Sequence, residues 1–169
     1  MQEISAVKVN QLPPAHFKNH VFEKTYKSPY KEAQLWEWLN DPKTFTDSQI
    51  FPYRVEFLLN KEQPTAFTPG VLNNHHGPFL SLAGEIGEVS THYRDLQYYY
   101  GSYAFSFRWI RPYRLEFISD TTENGSTVTV RLSTYTHPSL YNLWNWSQGI
   151  FWSRFGRWMN RSVKKMNKH

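Results

Sequence analysis

The chain of 169 residues contains no cysteine. Disulfides, thiolate zinc centres and cysteine nucleophiles are thereby excluded, and the absence fits a reducing compartment. No apolar run approaches the length of a membrane-crossing helix. The opening residues, MQEISAVKVNQLPP, lack a long apolar stretch and place Glu3 early, so no secretory signal is read there and a soluble, cytoplasmic protein is expected. Acidic side chains stop at Glu123. Beyond it come seven cations, Arg131, Arg154, Arg157, Arg161, Lys164, Lys165 and Lys168, whereas the chain up to Glu123 holds 12 basic and 14 acidic residues. The net charge of +5 therefore belongs to the terminal segment. Helix breakers are scarce there too: no proline follows Pro138, and the only later glycines are Gly149 and Gly156.

Aromatic side chains are in excess. They make up 18% of the chain, as 7 Trp, 11 Tyr and 12 Phe, and rings in such number fill cores and line concave apolar pockets. The length suits a single domain spanning 1–169. Residues 1–15 end in Pro13-Pro14 and read as an N-terminal arm. From His16 to Lys27, Phe22, Lys24 and Tyr26 alternate against Val21, Glu23 and Thr25, the period of a first strand. Ser28 as cap and Pro29 in the first turn predict a helix, with Leu35, Trp36 and Leu39 as its apolar face. Asn40-Asp41-Pro42 stops it, because proline disfavours the helical conformation in the residue before it. Residues 43–50 read as a second short helix or a loop.

Ile50-Phe51-Pro52-Tyr53-Arg54-Val55-Glu56-Phe57-Leu58 is nearly repeated as Ile110-Arg111-Pro112-Tyr113-Arg114-Leu115-Glu116-Phe117-Ile118. Each copy predicts a strand with a proline entry, an apolar inner side and an Arg/Glu outer side suited to cross-strand pairing. Between them, Thr65 to Leu72 is a candidate strand broken by Pro69-Gly70, and Asn73-Asn74-His75-His76-Gly77-Pro78 is a turn by composition. Phe79 to Val89 and His92 to Tyr100 read as strands. Tyr103, Phe105, Phe107 and Trp109 alternate with Ala104, Ser106, Arg108 and Ile110. Thr122-Glu123-Asn124-Gly125 predicts a hairpin centred on Asn-Gly, and Thr127 to Tyr135 a strand with Val128, Val130 and Leu132 inward.

Pro138, with Thr136 or His137 as cap, opens one long helix over 138–167. At about 100° per residue, Leu140, Trp144, Phe151, Phe155, Trp158, Met159 and Met166 share a face. Arg154, Arg157, Arg161 and Lys165, with Lys164 and Lys168, occupy a neighbouring one. The basic face reads either as the solvated side of the helix or as a surface for an anionic partner, a membrane ahead of nucleic acid. A face so wide must lie against something nearly as long. The expected fold is α+β: a curved antiparallel sheet of about six or seven strands wrapped around the C-terminal helix, with one or two short helices after the first strand.

This order of elements resembles the START-related superfamily, also called SRPBCC or polyketide cyclase/dehydrase-like, over residues 16–167. The resemblance rests on Ser28-Pro29 before the first helix, Leu35-Trp36 with Leu39-Asn40-Asp41-Pro42, Pro112 opening a strand, the Asn124-Gly125 hairpin and Thr127-Val128-Thr129-Val130. It implies a helix-grip fold whose inner surface binds a lipid-like, polyketide-like or other hydrophobic small molecule. It implies no catalytic residue.

The residues themselves offer little chemistry. Neither a phosphate-binding glycine loop nor a nucleophile-elbow serine nor a zincin helix occurs. His75-His76, with or without His92, lacks metal-ligand spacing, and neither a metal nor a cofactor is called for. Asp95 reads as an ion-pair partner before a pocket acid, and Arg114 as the outward partner of Glu116. The expected ligand-binding residues are Tyr53, Phe57, Phe105, Phe107, Trp109, Trp144, Phe151 and Phe155, each on the apolar side of its element, with Tyr99 supplying a hydroxyl. The functional expectation is a carrier or sensor of a hydrophobic small molecule. The alternatives are a cyclase-like or hydrolase-like enzyme using the same cavity, and a module that meets an anionic membrane or a partner through the basic helix.

Overall fold

Alternation decides the first strand: β1 (Lys18–Ser28) buries His20, Tyr26 and Ser28 while Val21, Glu23 and Thr25 face out. The computed structural model describes residues 12–46, 52–59, 65–104 and 108–167. After β1 come the short helices α1 (Glu32–Asn40) and α2 (Pro42–Thr46), then β2 (Arg54–Leu58), β3 (Leu72–Gly77), β4 (Leu80–Val89), β5 (Tyr93–Tyr98), β6 (Tyr103–Ala104), β7 (Ile110–Thr122) and β8 (Gly125–Thr136). Among the described residues these eight strands form one antiparallel sheet in the order β1-β8-β7-β5-β4-β3-β2, with β6 joining β4 to β7 at one end. A 3-10 turn, Pro138–Leu140, leads into α3 (Tyr141–Trp152) and α4 (Phe155–Met166). This is the α+β helix-grip arrangement, a sheet wrapped round a long C-terminal helix.

Several local expectations need correction. Helix α1 starts at Glu32 rather than beside Ser28, which stays in β1 and accepts a hydrogen bond from the Tyr30 amide at 3.3 Å. Its first turn is closed instead by Gln34, whose Oε1 accepts from the Lys31 amide at 3.0 Å. Residues 65–71 form turns that bury Ala66, Phe67 and Val71. The Asn-His stretch expected as a turn is strand β3, paired with β2 on one side and β4 on the other. Of the strand expected over 103–110, the described residues place Tyr103–Ala104 in β6 and Ile110 in β7, while at Arg108 the backbone takes φ 58° and Trp109 lies outside the strands. In the β7–β8 hairpin the two turn residues are Glu123 and Asn124, one position earlier than expected, because Thr122 pairs with Gly125. Gly125 takes φ 142°, and a side chain there would strike the Ser28 carbonyl.

The C-terminal helix is long but interrupted. Ser153 and Arg154 form a turn, although both keep right-handed helical dihedrals. Its inner face is Trp144, Gln148, Trp152, Phe155, Met159 and Val163, all buried. Phe151, expected inward, is 73% exposed, and Trp152 takes its place with its Nε1 donating to Gln148 Oε1 at 3.1 Å. Trp158 and Met166, expected on that face, lie half-buried at its margin.

Candidate ligand-binding face

The register places inward side chains in rows across the sheet. One row is apolar: Ile86 pairs with Leu96, Leu96 with Leu115, Leu115 with Leu132, and Leu132 with Phe22. The row beyond it is not. There Gly84 is flanked by Asn73 and Tyr98, and Thr134 by Pro112 and His20. His75 and Thr136 follow on the same inward parity. Asn73, Thr134, Thr136 and His20 are at most 2% exposed. Both amide atoms of Asn73, Nε2 of His75, Oγ1 of Thr134 and of Thr136, and Nδ1 of His20 are buried and find no hydrogen-bond partner among the described residues. Buried polar groups are ordinarily paired, so six such atoms on one face form a feature of the site.

Helix α3 packs along β1 over this polar end. Asn145 Oδ1 lies 3.1 Å from His20 Nε2, and the Tyr141 ring stands edge-on to the His20 ring at 5.0 Å. Toward the other end, Tyr26 donates its hydroxyl to the Trp152 carbonyl at 2.7 Å, and Phe155 reaches Phe117 with ring centres 6.2 Å apart. Trp38 of α1 closes that end against Phe155 and Trp158. Burial pulls the His75 pKa down to about 4, with repulsion from His76 adding to it. Burial also pushes the Tyr98 hydroxyl above its ordinary value.

One buried cation shares the inner face. Arg94 is 0% exposed, pairs with Phe117 across the strands, and stacks its guanidinium 3.9 Å from the Phe67 ring centre. Its Nη1 donates to the Leu39 carbonyl at 2.7 Å and to Asn40 Oδ1 at 3.1 Å, so it satisfies the C-terminal end of α1, whose last turn has no basic residue. Burial lowers its pKa to about 9. The sequence carries one sign of this inward arginine, which shares parity with Leu96 and Tyr98.

The expected ligand-binding residues divide. Trp144 and Phe155 point inward and are buried. Phe57 is half-buried against Phe67, ring centres 5.0 Å apart. Tyr53 and Trp109 are 44% and 43% exposed, Tyr53 lying across Gly77 and Trp109 stacked on His137. Tyr99 belongs to the opposite face, where its hydroxyl donates to Glu85 at 3.0 Å, because it alternates with inward Tyr98. Phe151 faces out. Phe105 and Phe107 lie outside the described residues, as does Lys168. Arg154, Arg157, Arg161 and Lys165 are exposed.

The other candidate chemistry is engaged elsewhere. Asp95 faces the outer side and accepts from Arg114 Nε at 2.6 Å and from the Glu88 amide at 2.7 Å. A side chain at Gly87 would strike it. Arg114 also approaches Glu116, and Arg131 bridges Glu116 to Glu23, so the outer face carries an ion-pair ladder from β5 to β1. His92 pairs with Glu32 at 2.6 Å. Burial works against the Glu32 carboxylate, but donation from Ser119, His92 and Thr121 outweighs it and holds the pKa below the ordinary value. His76 faces Glu56 at 3.5 Å, on the opposite side of β3 from His75. No group of three His, Cys, Asp or Glu among the described residues could hold a metal ion, and no described helix is long and apolar enough to cross a membrane.

Known structures share this architecture. Norcoclaurine synthase from Thalictrum flavum, bound to dopamine and hydroxybenzaldehyde, matches with a TM-score of 0.66 over 89% of this chain and 89% of its own, at 11% identity. Ara h 8.0201 matches with a TM-score of 0.57 over 88% of this chain and 99% of its own, at 15% identity. A protein of unknown function from Staphylococcus aureus gives 0.66 over 90% and 98%, at 7% identity. No family model matches the sequence, and no curated protein does. At these identities the likeness is one of fold. The chain has the helix-grip fold that these structures share.

Proposed function

We propose that the chain acts as one domain that binds a hydrophobic small molecule bearing hydrogen-bonding groups, held between the inner sheet face and α3, as carrier or sensor. The observation that carries this reading is the set of buried, unpartnered polar atoms on Asn73, His75, Thr134, Thr136 and His20 beside an apolar row. Each such atom costs about 1–3 kcal/mol when left unpaired. A ligand whose apolar body lies on the Leu96–Leu115–Leu132 row and whose polar end meets the second row offsets that cost. A lipid-like or polyketide-like molecule has this character. Binding is favoured over turnover because Asp95 and Glu32 are held in other networks, away from His20 and His75.

The test is native mass spectrometry of the purified chain, followed by titration with an apolar fluorescent probe. A retained small molecule, or a saturable probe site that quenches tryptophan emission, is the expected result, since Trp144 and Trp152 stand on the inner face of α3. Neither a retained ligand nor a saturable site would leave these side chains as ordinary core and remove the proposal.

A further inference from the structure

The back of α3 is as unusual as its front. Leu143, Trp146, Ile150 and Phe151 are 53%, 64%, 54% and 73% exposed, four large apolar side chains within three turns of one helix. Isolated apolar residues on a surface need no account, but a contiguous patch does. Spacings of three and four put Leu143, Trp146 and Ile150 on one outward ridge, with Phe151 at its flank. Because Ser153 and Arg154 keep helical dihedrals, that ridge runs on into α4. There it becomes cationic, with Arg154, Arg157, Arg161, Lys164 and Lys165 all exposed and forming no ion pair among the described residues. No acidic residue follows Glu123 to neutralise them.

We infer that this ridge docks on an anionic lipid bilayer. The apolar end, with Trp146 at its centre, suits the boundary between head groups and acyl chains, where indole rings settle. The five cations beyond it suit a negative surface, each adding roughly a fivefold factor in affinity when close to it. A purely apolar patch would fit a second copy equally well. The abutting cations favour the lipid, because they add affinity only where negative charge lies beside an apolar layer. The inference stands apart from the ligand reading, since the side chains it uses point away from the sheet.

The experiment is co-sedimentation of the full chain with vesicles of phosphatidylcholine alone and of phosphatidylcholine with phosphatidylserine. The expected result is retention on the anionic vesicles at low ionic strength, loss at high salt, and no retention on the neutral ones. Arg157→Glu with Arg161→Glu should weaken retention by at least about tenfold with an unchanged thermal melt, and Trp146→Ser with Phe151→Ser should weaken it by a similar factor. If the charge-reversed pair misfolds, Arg157→Gln with Arg161→Gln serves as the same arm. Failure of the wild type to bind anionic vesicles at low salt overturns the inference. So does retention indifferent to salt or to both pairs of substitutions. A dimer in sedimentation velocity that the Trp146 and Phe151 substitutions dissociate, without vesicle binding, would assign the patch to a second copy and overturn it equally.

Discussion

Burial holds the His75 imidazole at a pKa of about 4 against an ordinary 6.5. The unfolded chain takes up this proton near pH 6.5, while the folded chain does so only near pH 4, so between them the unfolded state binds more protons. The stability linked to His75 is therefore fully present above pH 6.5 and lost as pH falls toward 4. His75→Gln should flatten that part of the melting-temperature profile relative to wild type, measured by thermal melts across this interval. Parallel profiles would mean that the imidazole is solvated in the folded protein. The His75-His76 pair also marks what the sequence left hidden at this scale. Two adjacent histidines among asparagines and a glycine have the composition of a turn, and only the pairing of β3 on both sides sends one ring inward and the other to Glu56. The inward course of Arg94 is hidden for a related reason, since a charge is expected outside until the register places it beside Phe117.

Helix α3 and helix α4 each contain one glycine, and the two have opposite roles. Nothing lies within 4 Å of a Cβ built on Gly149, so Gly149→Ala should stabilise the protein by about 0.5–1 kcal/mol through backbone entropy alone. A Cβ on Gly156 would come within 2.7 Å of Tyr26 Cδ1. Tyr26 cannot easily yield, because it is buried and its hydroxyl is tied to the Trp152 carbonyl. Gly156→Ala should therefore destabilise by about 1–3 kcal/mol despite its better helix propensity. Denaturant unfolding of both variants checks the signs, and a stabilising Gly156→Ala would mean that α4 does not pack on β1 as described. Elements such as α1, β8 and the terminal helix were legible because a single period carries each: Leu35, Trp36 and Leu39 at helical spacing, and Val128, Val130 and Leu132 at strand spacing. The break at Ser153-Arg154 was not, since no proline or glycine stands there. The inner face passes through Trp152 rather than Phe151 because the buried positions from Trp144 through Gln148, Trp152, Phe155 and Met159 to Val163 step by four and three along the helix.

Across the whole molecule, the two faces of the sheet treat polarity differently. The outer face settles its charges among themselves, in the ladder from Asp95 through Arg114, Glu116 and Arg131 to Glu23. The inner face sets an apolar row beside a polar one and, among the described residues, leaves both amide atoms of Asn73, the Thr134 hydroxyl and Nδ1 of His20 without a partner. The repeated Pro-Tyr-Arg-hydrophobe-Glu-Phe segments made the outer pairing of Arg114 readable in advance. The inner polar row was not readable, because Asn73, Thr134 and His20 come from three strands far apart in sequence and meet only through register. If that row exists to meet a ligand, it lowers the stability of the protein without one. Thr134→Val keeps the shape and removes the unpaired hydroxyl. It should raise the stability of the ligand-free chain by about 1 kcal/mol, or roughly 2–4 °C in Tm for a chain of this size. The same variant should retain less of any co-purifying small molecule in native mass spectrometry, the usual trade between stability and function. A lower Tm would mean that the Thr134 hydroxyl has a partner within the folded chain. A higher Tm with undiminished retention would place the ligand's polar end away from Thr134, toward Asn73 and His75.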